Sequence, residues 1–96
     1  MEVDTLQRLR ALTNGLCGRA PVGSEAAVGD SFDLRMADTL DLIGYGEPGV
    51  ALENLAQNVY EFDVPLTPTE RQAFDDVGRA LNLNPDAWIF LAELVR

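Results

Sequence analysis

The chain has 96 residues, enough for a single domain, and its 16 acidic and 7 basic side chains give a net charge of −9. The apolar fraction of 47% is ordinary for a folded protein, so the charge leaves enough residues to build a core. One cysteine excludes an intramolecular disulfide, and no apolar run reaches the roughly 18 residues of a membrane span. Because the N-terminus also lacks the features of a signal peptide, we expect a cytoplasmic protein that does not bind membranes.

The negative charge is concentrated in residues 25–63, where the only base is Arg35. The nine acids of this segment are Glu25, Asp30, Asp33, Asp38, Asp41, Glu47, Glu53, Glu61 and Asp63. Such an uneven charge creates a directional field that attracts a basic partner and repels nucleic acid and anionic membranes. A face that only keeps the protein soluble is the alternative interpretation.

The hydrophobic periodicity predicts an all-α fold, with residues 1–96 forming one small bundle and no sheet. Five helices are expected, near residues 3–13, 31–43, 48–62, 68–82 and 86–95. Between the first two helices, residues 14–29 are rich in glycine, alanine, proline and serine. They are expected to form a long connection that is either mobile or holds a functional loop.

Local signals fix several helix ends and the core. Pro48 is expected at the first position of the third helix, and Thr67 to Glu70 reads as a capping box with proline at the first helical position. The last helix is apolar nearly all round, which indicates a central position. The expected core includes Leu9, Leu40, Leu52, Leu55, Val59, Phe74, Val77, Trp88, Leu91 and Leu94.

The sequence offers little catalytic chemistry. Without histidine, serine–histidine and cysteine–histidine pairs and histidine-based metal sites are excluded. The carboxylates do not follow the spacing of a calcium loop. Cys17 has no candidate base nearby in the sequence, so a small buried or loop residue is favoured over a nucleophile. We therefore expect no enzyme activity, no cofactor and no metal site.

The segment from Gly29 to Asp33 opens an acidic helix and resembles the acyl carrier proteins. In that family a serine at the start of the second helix receives a phosphopantetheine arm, and the matching residue here is Ser31. Phe32 stands where the family has an aliphatic residue. Aspartate and serine are also preferred helix-capping residues, so Asp30 and Ser31 are explained without a cofactor.

A broader resemblance covers residues 46–94. The run from Gly46 to Leu55, the helix end Val59 to Phe62, and the following Asp63-Val64-Pro65-Leu66 link resemble the MafI family of immunity proteins. The resemblance implies a small all-α cytoplasmic protein that binds and neutralises a cognate secreted toxin domain. Two C-terminal helices follow in that family, as they are expected to do here.

The third helix carries a polar row that a core does not need. Exposed acids on it and on the preceding helix and turn, with one aromatic residue at the rim, predict a partner-binding surface. Its members are Asp38, Asp41, Tyr45, Glu47, Glu53, Gln57 and Glu61. The expected partner is a toxin domain with a basic surface, and the charge favours a nuclease or a deaminase.

Three other functions are compatible with the sequence. The first is an acyl carrier-like protein with Ser31 as the phosphopantetheine site. The second is a helical protein-interaction module that dimerises through its apolar surface. An enzyme is the third.

Overall fold

The hydrophobic stripes of the sequence fold into five α-helices and two short 3-10 segments, in a computed structural model that describes residues 3–96. The helices are α1 (Val3–Leu16), α2 (Ser24–Val28), α3 (Phe32–Gly44), α4 (Pro48–Glu61) and α5 (Pro68–Ala80). The 3-10 segments span Pro85–Ala87 and Ile89–Leu94. Four of the five predicted helices are therefore confirmed, each end within three residues, and the all-α fold class is confirmed with them.

Helix α4 is the centre of the bundle. It packs against α1, α3, α5 and the second 3-10 segment. Its apolar stripe is completely buried because its members recur every three or four residues. The stripe consists of Ala51, Leu52, Leu55, Ala56 and Val59.

The overall size agrees with one core. The radius of gyration is 12.4 Å, close to the value of about 13 Å expected for a compact chain of about 100 residues. Among residues 3–96, no helix combines the length and the apolar character needed to cross a bilayer.

The helix ends follow the predicted local signals. The Thr67 hydroxyl accepts a hydrogen bond from the Glu70 N–H at 3.1 Å, and the Glu70 carboxylate accepts one from the Thr67 N–H at 2.9 Å. The capping box is thus confirmed. Just after the C-terminal end of α3, Gly46 adopts a left-handed φ of 79°. This conformation lets the next residue, Glu47, donate its N–H to the Leu42 carbonyl and close the helix.

The predicted C-terminal α-helix was wrong in type. Residues 85–94 form two 3-10 segments that are interrupted at Trp88, where φ is −143°. The buried side chains Trp88, Leu91 and Leu94 recur every three residues, which is the period of a 3-10 helix rather than of an α-helix. The expected central position of this segment was also wrong, because only one side of it packs against the bundle: Ile89 is 55% exposed, and Ala92 and Glu93 are exposed as well.

Two contacts explain why the end of the chain does not continue as an α-helix. The Trp88 ring occupies the space beside Gly78 so closely that a Cβ atom there would lie 2.3 Å from the ring. Further along, Leu66 forms an isolated parallel β-bridge with Val95 and donates its N–H to the Leu94 carbonyl at 2.9 Å. These tertiary contacts accompany non-helical conformations at Trp88, between the two 3-10 pieces, and at Val95, after the second one.

The connection expected over residues 14–29 was also partly wrong. Helix α1 continues to Leu16, and α2 occupies five residues between Gly23 and Gly29, both of which have a left-handed φ. The segment is tied to the bundle by Arg19, whose guanidinium donates to both carboxylate oxygens of Glu70, at 2.7 and 3.0 Å. A sequence without hydrophobic periodicity thus contains a short helix, and a long-range ion pair ties the loop before that helix to α5.

The predicted core is confirmed except at one position. Leu40 is only half-buried, and the fully buried residue of this helix turn is Thr39. A threonine can be buried there because its hydroxyl donates to the side-chain carbonyl of Asn54 on α4. The spacing of apolar residues predicted that Leu40 would be buried, whereas the hydrogen bond to Asn54 explains why Thr39 is buried instead.

Two half-buried carboxylates are expected to make the fold sensitive to acid. Burial alone would raise the pKa of Asp75, but hydrogen bonds from the Trp88 indole and from Arg71 outweigh it and lower the pKa. Burial also opposes ionisation of Glu70, yet the hydrogen bonds from Arg19 and from the Thr67 N–H lower its pKa as well.

A carboxylate whose pKa is lower in the folded state stabilises the fold above the ordinary carboxyl pKa of about 4 and loses that contribution as the pH falls through the folded pKa. We therefore expect urea unfolding midpoints that are constant near neutral pH and fall below about pH 4. The variant Asp75→Asn should be less stable at neutral pH and should lose less stability on acidification. A wild-type midpoint that stays constant down to pH 2 would contradict this assignment.

Candidate partner-binding surface

Helices α3 and α4 form an antiparallel pair that presents the seven predicted site residues to solvent. Asp38 and Asp41 lie on α3, Tyr45 and Glu47 lie in the turn, and α4 carries the rest. All seven side chains are exposed, with Tyr45 at 79% of its full exposure. The surface required by the prediction therefore exists, while its role in binding stays a prediction.

Four acids of this surface are not neutralised by the fold. Across residues 3–96, no arginine pairs with them and no hydrogen bond reaches their carboxylates. We call this group the acidic face, and it consists of Asp38, Asp41, Glu47 and Glu53. Because no cation of the fold pairs with these carboxylates, the acidic face is a source of negative potential.

Glu61 differs from the other predicted acids. Its carboxylate lies 3.2 Å from the Arg35 guanidinium, which also pairs with Asp30 at 2.7 Å. The hydrogen bond from Arg35 lowers the pKa of Asp30 and, in turn, the pKa of Arg35 is raised. The guanidinium also lies 5.5 Å from the ring centre of Phe62. Glu61 is thus partly committed to an intramolecular cluster.

A chain of polar side chains joins α3 to α4 beneath the exposed acids. The Arg35 guanidinium donates to the side-chain oxygen of Asn58 at 2.7 Å. The side-chain amide of Asn58 in turn donates to the side-chain oxygen of Asn54 at 3.2 Å. Thr39 donates to the same Asn54 oxygen. We call these four residues the polar seam. Because Thr39 and Asn58 are buried, their hydrogen bonds must be kept, which fixes the register of the two helices.

An open groove lies on the other side of Asn54, between α4 and the first 3-10 segment. Its volume is about 580 Å³, and its lining consists of Val50, Glu53, Asn54, Gln57, Asp86 and Ala87. The groove therefore brings two predicted site residues, Glu53 and Gln57, together with Asp86. The sequence did not predict Asp86 as a site residue, because an acid after Asn84-Pro85 is already explained by its place in the first turn of a helix.

Two other residues singled out in the sequence have structural surroundings. The Ser31 hydroxyl accepts a hydrogen bond from the Leu34 N–H at 3.3 Å, so the capping interpretation of this serine is confirmed. Partial burial and the charge of Asp33 raise the pKa of the exposed Cys17 thiol, which disfavours the reactive thiolate. In the part of the chain from residue 3 onward, no three histidine, cysteine or acidic residues are grouped as a metal site.

Comparisons with known proteins add no relative to these observations. No protein-family model matches the sequence, and comparisons with curated proteins and with solved structures found no significant match.

Proposed function

We propose that this protein is an immunity protein that acts in the cytoplasm, where it binds and neutralises a cognate secreted toxin domain with a basic surface. The observation that carries the proposal is the acidic face, whose four carboxylates form no ion pair with any residue in the range 3–96. An unneutralised charge of one sign on an ordered pair of helices speeds association with a partner of the opposite sign and excludes like-charged partners.

The distribution of the arginines supports this proposal. Arg8, Arg19, Arg71 and Arg96 each pair with an acid outside the acidic face. Arg35 pairs with Asp30 and Glu61. Across residues 3–96, the arginines that form ion pairs thus do so elsewhere, and the C-terminal half of α3, the turn and the start of α4 are left strongly negative.

The position of Asp41 supports it further, because local stability does not favour an acid there. Asp41 begins the last turn of α3, which contains no base. The carbonyl end of a helix has a negative partial charge, so an acid in the last turn is unfavourable by about 0.3–1 kcal/mol. Residues that conflict with local stability are expected mainly at functional sites.

The substitution Asp41→Asn should therefore raise the free energy of unfolding by about 0.3–1 kcal/mol at low salt. Urea unfolding followed by circular dichroism measures the change. The control Asp38→Asn removes an equal charge before the last turn of α3 and should change stability less. A loss of stability in Asp41→Asn would show that this carboxylate has a partner within the fold.

Steering by the acidic face also narrows the class of toxin. A toxin that acts on nucleic acid needs a basic substrate cleft, and an acidic protein surface can occupy such a cleft in place of phosphates. A nuclease or a nucleobase deaminase is the target that this charge fits best. The resemblance of residues 46–94 to the MafI immunity proteins is consistent with the same function.

A search for a secreted-toxin gene beside this gene, followed by co-expression of its toxin domain with this protein, tests the proposal. Cells that produce the toxin should survive only when this protein is present, and the purified proteins should form a stable complex. A catalytically inactive toxin variant serves as the control for toxicity and should still bind. If neither protection nor a complex is observed with the neighbouring toxin, the proposal is wrong.

A further inference from the structure

We infer that the groove between α4 and the Pro85–Ala87 segment is a binding site for an arginine side chain of the partner, held between Glu53 and Asp86. This inference rests on the proposed function, because it specifies how a basic partner engages the surface. It adds Asp86 and Val50 to the binding surface and states which chemical group enters it.

The lining of the groove has the composition that a guanidinium group requires. Val50 and Ala87 provide apolar surface for the methylene stem of an arginine, and Val50 is 49% exposed. Glu53 and Asp86 supply carboxylates, and across the described chain no side chain donates a hydrogen bond to either of them. Gln57 adds an amide at the same wall.

The groove is also held in place before any partner binds. Asn54 belongs to both the groove and the polar seam, and its carbonyl oxygen accepts hydrogen bonds from Thr39 and Asn58. Because these donors are buried, the wall formed by Asn54 cannot turn away without breaking them. A site that is ordered in the free protein loses less entropy on binding.

Arginine fits this groove better than lysine for physical reasons. The guanidinium is planar, more weakly hydrated than an ammonium, and able to donate hydrogen bonds in two directions at once. An open groove with apolar walls and two acids favours a cation that tolerates partial desolvation and reaches both carboxylates. A lysine ammonium offers the same charge as a compact, strongly hydrated point.

Titration with short peptides, followed by two-dimensional NMR of the backbone amides, tests the inference without the toxin. The probe is a hexapeptide of alternating arginine and glycine, with one counterpart in which lysine replaces arginine and another in which neutral citrulline does. We expect the largest shifts at the amides of residues 53–57 and 86–87 with the arginine peptide. The lysine peptide should bind more weakly, and the citrulline peptide at least about tenfold more weakly.

Matched variants separate the groove from the general negative charge. The pair Glu53→Gln and Asp86→Asn should weaken binding of the arginine peptide at least about fivefold beyond the loss caused by the control pair. The control pair, Asp76→Asn and Glu93→Gln, removes the same charge outside the groove. The side-chain amides introduced at positions 76 and 93 can still accept the hydrogen bonds from Gln72 and Tyr60.

Equal weakening by the two pairs, or shifts spread over α3 instead of the groove, would overturn the inference. Equal binding of the lysine and arginine peptides would overturn the assignment of a guanidinium. These outcomes are independent of the co-expression test. A protein that fails to neutralise the toxin can still bind the arginine peptide, and a protein that neutralises the toxin can fail to bind the peptide.

Discussion

Replacing Trp88 by alanine should lower the free energy of unfolding by about 3–5 kcal/mol, the usual range for truncating a buried aromatic residue. Trp88 is completely buried, and its indole N–H donates to the Asp75 carboxylate at 2.6 Å. The variant would leave a cavity beside Gly78 and remove one donor from Asp75, whose remaining partner is the Arg71 guanidinium at 2.9 Å. Urea unfolding followed by far-ultraviolet circular dichroism measures the loss.

Two further variants separate the effects of ring volume and hydrogen bonding. Trp88→Phe keeps an aromatic ring but lacks the indole donor, so it should lose less stability than Trp88→Ala and should make the fold less sensitive to Asp75→Asn. If Trp88→Ala and Trp88→Phe unfold at the wild-type midpoint, the C-terminal segment does not pack as described.

A glycine pair tests the same contact from the opposite side. In Gly78→Ala, the added Cβ would meet the Trp88 ring at 2.3 Å, and the fold should lose about 1–3 kcal/mol or more through overpacking. Gly15→Ala is the matched control, because Gly15 is helical in α1 and a Cβ there meets nothing within 4 Å. This control should gain about 0.5–1 kcal/mol, since alanine is a better helix former than glycine.

Reversing two acids of the acidic face should weaken binding of the cognate toxin at least tenfold, which corresponds to about 1.4 kcal/mol. The suitable pair is Asp41→Lys and Glu53→Lys, because neither carboxylate has a partner across residues 3–96. A lysine at position 41 is also compatible with the negative end of α3. The melting temperature should therefore stay at or above the wild-type value.

Glu53 and Glu61, the two acids that α4 contributes to the predicted surface, are the alternative pair to reverse. The structure argues against Glu61, because a lysine there would face Arg35 and disturb its contacts with Asp30 and Asn58. A lower affinity of that variant could then reflect a damaged polar seam. Choosing Asp41 avoids this ambiguity.

Association kinetics at several salt concentrations complete the test. Raising the salt should slow association of the wild type more strongly than that of the reversed variant, because screening acts on the charges that steer the partner. A control variant with Asp76→Lys and Glu93→Lys changes the net charge equally outside the acidic face, and it should bind within a few-fold of the wild type. If the reversal at Asp41 and Glu53 has no larger effect than this control, the acidic face is only a solvated surface.

The elements that could be predicted from the sequence are those whose signals are local. The stripe of α4 and the capping box of α5 contain their own spacing and chemistry, so they needed no knowledge of the fold. The C-terminal segment could not be predicted in the same way. It contacts Gly78 and Leu66, which lie outside the segment, although the three-residue spacing of Trp88, Leu91 and Leu94 was a local signal for a 3-10 helix.

The candidate surface shows a similar division. Exposure of Glu53 and Gln57 followed from their positions opposite the apolar stripe, and the structure agrees. The pairing of Glu61 with Arg35 could not be predicted, because 26 residues separate the two partners. The contribution of Asp86 to the groove depends likewise on how the chain end folds back on α4.

The position of Trp88 provides an intrinsic optical reporter. It is the only tryptophan of the chain, and it directly follows Ala87, which lines the groove. Its indole is sealed from solvent and hydrogen-bonded to a carboxylate, so its emission depends on a single, well-defined environment. Fluorescence from one native residue can therefore follow both unfolding of the bundle and small movements of the groove wall, without any attached dye.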